Sequence, residues 1–485
     1  MLVSINWEKL AAEYSSKKTR RFKLAENKSN YQFQPSQESP CFPPDLELRN
    51  YQAQAVISWF KNKGRGTLKM ATGSGKTITA LAIATELYQK IGLKAIIVIC
   101  PYRHLVAQWS QECQKFNLEA IAAFESVYNW QSQLSDRLYS LISGDRSFVT
   151  VITTNSTFIT PGFQSQIKYF PDKTLIIGDE AHNLGSARLI ESLPRQIGLR
   201  LALSATPERY YDDDGTDFIF DYFGPILEPD FSLADAINAK ALVPYLYYPI
   251  LVEFTPSESF AYAKLTKKIG WALNNRDRNV GANTAVTSLL VQRSRLIAGA
   301  KNKLHALRQL MSDRLDTTHT LFYCGDARVE YDSSYVRQID AVTRILGIEL
   351  GYRINTYTAE TPLLEREILQ NQFETGQLQG LVSIRCLDEG VDIPAIKNAV
   401  ILASTGNPRQ FIQRRGRILR PHPGKDRATL FDAIVLPPEL DRNTWEVERN
   451  LLRKELKRFI EFADLAENAA EAKNILLSLQ DRYSL

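Results

Sequence analysis

The most informative stretch of this chain is Thr67-Leu68-Lys69-Met70-Ala71-Thr72-Gly73-Ser74-Gly75-Lys76-Thr77. Its apolar start predicts a short strand over 67–70 that runs into a glycine-rich loop. Gly73 and Gly75 let backbone N–H groups turn inward around phosphate oxygens, and the helix expected next adds the positive end of its dipole. Lys76 is predicted to bridge the β- and γ-phosphates of ATP, and Thr77 to ligate Mg²⁺.

The loop departs from the strict phosphate-binding pattern at one position, because Met70 stands where glycine or alanine is usual. The remaining loop residues are still predicted to contact the nucleotide through backbone and hydroxyl groups. These predicted contacts are Thr72, Gly73, Ser74 and Gly75.

A pair of carboxylates follows the apolar run 175–177 in the segment Asp179-Glu180-Ala181-His182. A carboxylate at the end of a parallel strand reaches the metal of a neighbouring phosphate loop, so Asp179 is predicted to bind Mg²⁺. Glu180 is predicted to orient and deprotonate the attacking water. His182 lacks partner ligands at a spacing suitable for zinc. Instead, the hydroxyls of Ser204 and Thr206 are predicted to bond this cluster and to couple phosphate state to domain position.

Upstream, Leu48-Arg49-Asn50-Tyr51-Gln52 precedes the loop. Gln52 is predicted to offer its amide to the adenine edge, with Arg49 as a second nucleotide contact. The alternative for this segment is the start of a surface helix.

Far downstream stands Gln413-Arg414-Arg415-Gly416-Arg417-Ile418-Leu419-Arg420. Arg417 and Arg420, three apart on a predicted helix, would project from one face and stabilise the charge on the γ-phosphoryl group, and Gln413 would contact the same phosphate. In the preceding segment Gly390 is predicted to allow a tight turn, and Asp392 to accept from a ribose hydroxyl. The alternative is a basic surface helix.

Two α/β domains are predicted from short apolar runs separated by helical segments, a pattern typical of parallel strands buried on both faces. The runs are 67–70, 95–100, 148–152, 175–177 and 201–203, then 321–324, 381–384, 399–402 and 429–431. The predicted divisions are a polar, basic extension at 1–45, a first domain at 46–228, a second at 229–437 and a C-terminal helical extension at 438–485.

Residues 256–312 form a predicted basic helical insertion in the second domain. They carry ten cations and two acids, a net charge of +8 in a chain of +5. Contact with a phosphate backbone and a merely solvated arm are both open readings of this charge. The cations are Lys264, Lys267, Lys268, Arg276, Arg278, Arg293, Arg295, Lys301, Lys303 and Arg308.

Composition is that of an ordinary globular protein, with 44% hydrophobic and 23% charged residues among 485. The five cysteines are scattered, with no Cys-x-x-Cys, which favours a reducing, cytoplasmic location. Cys100 and Cys324 end apolar runs and are predicted to be buried. No apolar run approaches the roughly 20 residues of a membrane span, so no membrane partner is expected.

Taken in order, these segments resemble the conserved motifs of superfamily 2 DEAD/DEAH-box helicases, in the XPB/Rad25-like and restriction-type group. The resemblance runs from Leu48 to about Pro437. Residues 49–52 resemble motif Q, 71–77 motif I, 101–105 motif Ia, 153–156 motif Ib, 179–182 motif II in its DEAH form, 204–206 motif III, 321–324 motif IV, 389–392 motif V and 413–420 motif VI.

The resemblance implies two RecA-like domains with ATP in the cleft between them and nucleic acid across both. Arg103, Thr154 and Thr358 are the nucleic-acid contacts that it implies. Contact with the backbone of one strand is expected, without sequence readout, and DNA is favoured over RNA. Two departures matter: only some 45 residues precede motif Q, and no acid-rich metal cluster follows Pro437, so nuclease activity is not predicted.

The sequence therefore predicts an ATP-driven helicase or translocase acting on DNA. Three alternatives stay open: a double-strand translocase that does not separate strands, a motor subunit of a restriction or phage-defence assembly with a nuclease or repair partner, and a non-hydrolysing subunit that uses ATP as a clamp.

Overall fold

The protein forms two compact units, Met1–Ala236 and Ile237–Leu485. The structure is a computed structural model that describes residues 6–9, 11–12, 39–209, 212–274, 282–358, 360–384, 393–403, 416–438 and 445–483. The basic run near Lys17 lies outside these residues, and most of the predicted N-terminal extension does too.

The first unit is built on a seven-stranded parallel sheet of order β3-β4-β2-β5-β6-β1-β7. Its strands are β1 (Arg65–Met70), β2 (Ala95–Cys100), β3 (Ala120–Ala123), β4 (Val149–Thr154), β5 (Thr174–Asp179), β6 (Leu199–Ser204) and β7 (Ile226–Phe231). Its helices are α1 (Asn50–Lys61), α2 (Lys76–Ile91), α3 (Arg103–Lys115), α4 (Gln131–Ser143), α5 (Asn155–Phe158), α6 (Pro161–Ile167), α7 (Ala187–Ser192), α8 (Asp213–Phe223) and α9 (Leu233–Asn238).

The central strands of this sheet are the predicted apolar runs, and every residue of β2, β4, β5 and β6 is buried. Helices on both faces exclude water from such strands, which is why they lack polar alternation. Two strands escaped prediction. β3 is short, and β7 contains Glu228, Pro229 and Asp230, so neither reads as a buried run. β7 spans the boundary expected at 228/229 and pairs with β1.

The second unit is built on a six-stranded parallel sheet of order β12-β13-β9-β14-β15-β8, beside a hairpin of β10 and β11. Its strands are β8 (Tyr245–Glu253), β9 (Thr320–Cys324), β10 (Arg328–Tyr331), β11 (Ser334–Arg337), β12 (Ile354–Tyr357), β13 (Gly380–Ile384), β14 (Asn398–Ile401) and β15 (Ala428–Leu436). Its helices are α10 (Pro256–Asn274), α11 (Ala282–Ala298), α12 (Asn302–Ser312), α13 (Gln338–Arg344), α14 (Leu363–Glu374), α15 (Trp445–Asp464) and α16 (Ala469–Tyr483).

The basic insertion is helical, as predicted, and consists of α10, α11 and α12. The last two helices, α15 and α16, cover the sheet edge at β8. The Asn468 side chain accepts from Tyr247 N at 2.8 Å and donates to Tyr247 O at 2.9 Å, and the Phe462 ring stacks on Tyr245 with centroids 4.5 Å apart. An uncovered strand edge invites pairing with other chains, so this contact protects the fold.

The predicted fold class is confirmed: both units carry the parallel α/β sheet of a RecA-like domain, with added helices. Cys100 and Cys324 are buried free thiols, also as predicted. Within the described ranges, no helix is both long enough and apolar enough to span a bilayer.

Candidate nucleotide and nucleic-acid sites

The candidate nucleotide site lies at the carboxyl ends of three adjacent strands, β5, β6 and β1. The glycine-rich loop follows β1, and α2 begins at Lys76 directly after it. Gly73 and Gly75 have φ values of 84° and 86°, in the left-handed region that glycine adopts without strain. The Lys76 ammonium donates to the carbonyl oxygen of Met70 at 3.0 Å. The Met70 side chain is fully buried, so the departure from the usual motif does not alter the loop surface.

The carboxylate of Asp179 ends β5 and is held through both of its oxygens. The indole N–H of Trp109 donates to Oδ2 at 2.8 Å, and the backbone N–H of Glu180 donates to Oδ1 at 3.0 Å. Burial raises the pKa of Asp179, the charge of Glu180 raises it further, and the Trp109 bond and nearby Lys76 lower it. A cation beside such a buried carboxylate stabilises its charged form.

Glu180 has a φ of 45°, an uncommon value for a residue other than glycine. Strained backbone of this kind is concentrated at functional sites. Its carboxylate lies 3.6 Å from His182 Nδ1. The same His182 nitrogen is 3.2 Å from Ser204 Oγ, which in turn accepts from the backbone N–H of Thr206 at 3.1 Å. The structure thus brings together the ends of β5 and β6, and the coupling role of these residues stays a prediction.

The segment at 49–52 lies against the phosphate loop rather than standing apart from it. Gln52 donates from Nε2 to Gly75 O at 3.2 Å and accepts from Arg49 N at 2.9 Å. The Tyr51 hydroxyl donates to Ser74 O at 2.7 Å, and its ring stacks on Phe231 with centroids 3.8 Å apart. Gln52 is buried, so its amide supports the loop in this structure, and its contact with adenine stays a prediction.

The residues of the first unit fit a triphosphate and its magnesium ion. The Thr72 and Ser74 hydroxyls are buried in the loop, and the described part of the chain offers them no hydrogen-bond partner. A Cβ atom on Gly75 would approach Gln52 Nε2 to 2.6 Å, so any side chain there would displace that amide. The nearby Asp179 carboxylate supplies the oxygen ligand that Mg²⁺ prefers.

The second unit contains the two arginines of the downstream motif. Residues 416–418 form a helical turn, and Arg417 on it is buried. Arg420 lies beyond the turn, so the single helix face that we predicted for both arginines does not extend to it. Burial lowers the pKa of Arg420 to about 10. The other predicted members of this half-site, Gln413, Gly390 and Asp392, lie outside the described residues.

Two bonds fix the backbone between these arginines. The Lys425 ammonium donates to Ile418 O at 2.6 Å, and Val243 N donates to Leu419 O at 2.8 Å. The same ammonium also donates to Pro394 O at 3.1 Å. Lys425 is almost fully buried. It therefore joins the arginine turn to the segment that begins near Pro394.

The three predicted nucleic-acid contacts differ in exposure. Arg103 begins α3, is exposed and pairs with Glu125 at 2.6 Å. Thr154 is buried, and its hydroxyl accepts from Thr157 N at 3.3 Å as a helix cap. Thr358 follows β12 and is partly exposed, with its N–H bonded to Thr361 Oγ1 at 3.0 Å. Their role with nucleic acid stays a prediction for all three.

One face of α10 combines cations with aromatic rings. Phe260 and Trp271 are each 74% exposed, and the exposed residues Lys264, Lys267 and Lys268 lie between them at helical spacing. The only acid of this helix, Glu258, is on the opposite side and bonds Lys301 N. Lysines with interleaved aromatic rings suit the backbone and bases of a single strand.

Other cations of the insertion serve the fold instead. Arg293 is 4% exposed and bonds Glu455 at 2.8 Å and the Tyr262 hydroxyl. Lys303 is 1% exposed and donates to Leu402 O at 2.6 Å. Arg293 and Lys303 are therefore neither exposed to a nucleic acid nor part of a solvated arm. Arg276 and Arg278 lie outside the described residues.

Three residues near the sites escaped sequence reasoning. Tyr51 lies inside a quoted segment but offers no chemical signal there. Trp109 has the helical spacing of a core residue, together with Leu105 and Cys113, which predicts burial without naming its partner. Lys425 stands in a charged loop and reads as exposed.

This fold and site define a P-loop NTPase with tandem RecA-like units. Comparison with known proteins then gives its family. The model "Type III restriction enzyme, res subunit" matches residues 45–209, and "Helicase conserved C-terminal domain" matches 302–422.

Among relatives, "DNA 3'-5' translocase XPB2" of Sulfurisphaera tokodaii is 29% identical over 82% of this chain and 83% of that protein. "Putative DNA 3'-5' helicase Rad25" of Haloarcula marismortui is 26% identical over 78% of this chain and 51% of that protein, so the chain spans about half of its length. The DNA-bound Type ISP restriction-modification enzyme LlaBIII shares the fold, with a TM-score of 0.56 at 18% identity over 87% of this chain and 30% of that one.

The chain belongs to the superfamily 2 helicases, in the XPB-like and ResIII-type group. This is a family of ATP-dependent DNA helicases and translocases.

Proposed function

We propose that this protein is a DNA-stimulated ATPase that uses ATP hydrolysis to move along DNA. The observation that carries the proposal is the shared site of Lys76 and Asp179. Lys76 begins α2 directly after the loop that follows β1, and Asp179 ends β5, two strands away at the same edge of the parallel sheet. A phosphate-binding lysine and a metal-binding carboxylate so placed are the two essential parts of an ATPase site.

The residues of the first unit then take these roles. The loop N–H groups and the Thr72 and Ser74 hydroxyls bind phosphate oxygens, and Lys76 binds the β- and γ-phosphates. Thr77 and Asp179 would hold Mg²⁺, whose charge offsets the negative charge that develops on the phosphoryl oxygens. Glu180 orients the attacking water and accepts its proton.

Arg417 and Arg420 of the second unit are proposed to act on the same nucleotide as arginine fingers. This role is supported by the hydrogen bond from the buried Lys425 ammonium to Ile418 O, because an arginine finger must be held in one orientation. Removal of a finger lowers turnover by about 10³-fold or more. Arg420→Gln tests this role with less disturbance of packing than Arg417→Gln, because Arg417 is the more deeply buried. Unchanged turnover in both variants would rule the assignment out.

DNA is the proposed partner because the two relatives named above are described as DNA translocase and DNA helicase. Arg103, Thr154 and Thr358 and the exposed face of α10 are the proposed contacts. Such contacts read the strand backbone rather than the sequence.

The deciding experiment is ATP turnover with a panel of single-stranded, duplex and forked DNA and RNA. We expect DNA to stimulate turnover and Lys76→Ala and Glu180→Gln to abolish it, with an unchanged thermal unfolding midpoint. Lys61→Ala, at an exposed lysine of α1, is the matched control and should retain full turnover. Absence of turnover with every nucleic acid would favour the ATP-clamp alternative instead.

Translocation without strand separation is the second candidate, because the Sulfurisphaera tokodaii relative is described as a translocase. Strand displacement on forked DNA, compared with triplex displacement on intact duplex, separates the two candidates. Activity only in the triplex assay would identify a translocase. Co-purification with a nuclease would identify a subunit of a restriction or defence assembly.

A further inference from the structure

The hydrogen bond between Trp109 and Asp179 joins two parts of the first unit that the sequence separates by 70 residues. Trp109 lies on α3, which begins at Arg103, and is 1% exposed. Its indole N–H donates at 2.8 Å to the carboxylate proposed to bind Mg²⁺. The second oxygen of that carboxylate is held by the backbone of Glu180. The carboxylate plane is therefore fixed from two sides, which leaves its remaining lone pairs for a metal.

A buried indole N–H usually needs an acceptor, so the bond has a simpler explanation in satisfying the tryptophan. The same unit argues against that explanation. Trp130 is 2% exposed, and the described residues offer its Nε1 no acceptor. An unsatisfied indole is thus tolerated in this core. Because the Trp109 indole bonds the Asp179 carboxylate rather than a backbone carbonyl, the bond also restricts the orientation of that carboxylate.

We propose that Trp109 is a positioning residue that orients the Asp179 carboxylate toward Mg²⁺. The inference rests on the proposed function of Asp179 as a metal ligand. Groups that hydrogen-bond a metal ligand fix its direction, and their loss typically weakens metal binding by about 10- to 100-fold. Because Trp109 and Arg103 share one helix, the proposal also gives the motif Ia segment a mechanical link to the metal site.

The test is equilibrium binding of a fluorescent ATP analogue at increasing Mg²⁺ concentrations, without turnover. Trp109→Phe removes the donor and keeps an aromatic ring. We expect it to raise the half-saturating Mg²⁺ concentration by about tenfold. Binding of the analogue in EDTA should stay unchanged, because the phosphate loop does not depend on this bond. Trp130→Phe removes the same atoms from a buried indole whose Nε1 has no acceptor among the described residues, and it should leave both quantities unaltered.

Trp109→His retains a ring N–H on the same helix position and should fall between Trp109→Phe and the unmutated protein. Equal shifts in the Trp109 and Trp130 variants would mean that packing alone is responsible and would overturn the proposal. So would an unshifted Mg²⁺ dependence in Trp109→Phe. The outcome is independent of motor activity: a protein that binds Mg²⁺ and ATP but shows no DNA-stimulated turnover would refute the proposed function and leave this inference standing.

Discussion

Gly75 shows how a single residue limits the phosphate loop. Its φ of 86° and the absence of a side chain let Gln52 reach the loop carbonyl. The comparison residue is Gly144, which has a φ of 90° and open space around the position of a Cβ atom. A substitution at Gly144 therefore tests backbone strain alone, whereas one at Gly75 tests backbone strain together with a side-chain collision.

We expect Gly144→Ala to destabilise the first unit by about 1 kcal/mol, the cost of left-handed backbone for alanine. Gly75→Ala carries the same backbone cost and also displaces the Gln52 amide from the phosphate loop, so it should weaken ATP binding, which Gly144→Ala should not. The measurements are thermal unfolding and binding of a fluorescent ATP analogue. Equal nucleotide affinity in the two glycine variants would contradict this reading.

At the scale of elements, helix α10 has a buried arginine of the insertion on one side and exposed lysines on the other. Its inner side packs Tyr262 and Ile269, and Tyr262 also bonds Arg293 of α11. Its outer face carries three lysines and two rings to solvent. Removing either partner of the buried Arg293–Glu455 pair would leave an uncompensated charge and destabilise the fold, whereas exposed lysines add little stability and remain available to an anionic partner.

Replacing Lys264, Lys267 and Lys268 with glutamine should weaken binding to single-stranded DNA and reduce the slope of log affinity against log salt by about 2. Fluorescence anisotropy over a range of salt concentrations measures both quantities. A control of equal charge replaces Lys301, Arg308 and Lys457, each paired with a carboxylate, and should change the slope less. An unaltered slope in the first variant would show that the face is only solvated.

The two rings of this face should contribute by stacking rather than by charge. Phe260→Ala with Trp271→Ala is expected to lower affinity for single-stranded DNA by about 1–3 kcal/mol per stacked base and to leave the salt slope unchanged. Affinity for duplex DNA should fall less, because paired bases do not offer their faces. Equal losses for both forms would exclude stacking.

At the scale of the molecule, each unit encloses its own parallel sheet and core. Among its described residues, the second unit buries two lysines. Burial lowers the pKa of Lys303 to about 8, and burial with the nearby cations Lys397 and Arg420 lowers the pKa of Lys425 to about 7. In the unfolded chain a lysine titrates near a pH of about 10.4.

These lysines make the stability of the second unit depend on pH. Below a pH of about 7 both states are protonated, and the folded state bears the full cost of two buried cations. Between about 7 and about 10 the unfolded chain binds more protons, so the free energy of unfolding should rise. Urea unfolding across this pH range measures the free energy of unfolding. Lys425→Met should flatten the rise, whereas Lys457→Met, at an exposed lysine, should not.

Local patterns in the sequence were sufficient for the phosphate loop, the Asp179–Glu180 pair and the central strands, because their signals lie within a few consecutive residues. Strands β7 and β8 carry polar or partly exposed positions and gave no comparable signal. The partners of Gln52, Trp109 and Arg293 depended on the folded chain. Trp109 and Asp179 are 70 residues apart, and Arg293 and Glu455 are 162 apart. Whether a cation bonds inside the fold, like Arg293, or stays exposed, like Lys264, follows from which elements pack together rather than from residue type.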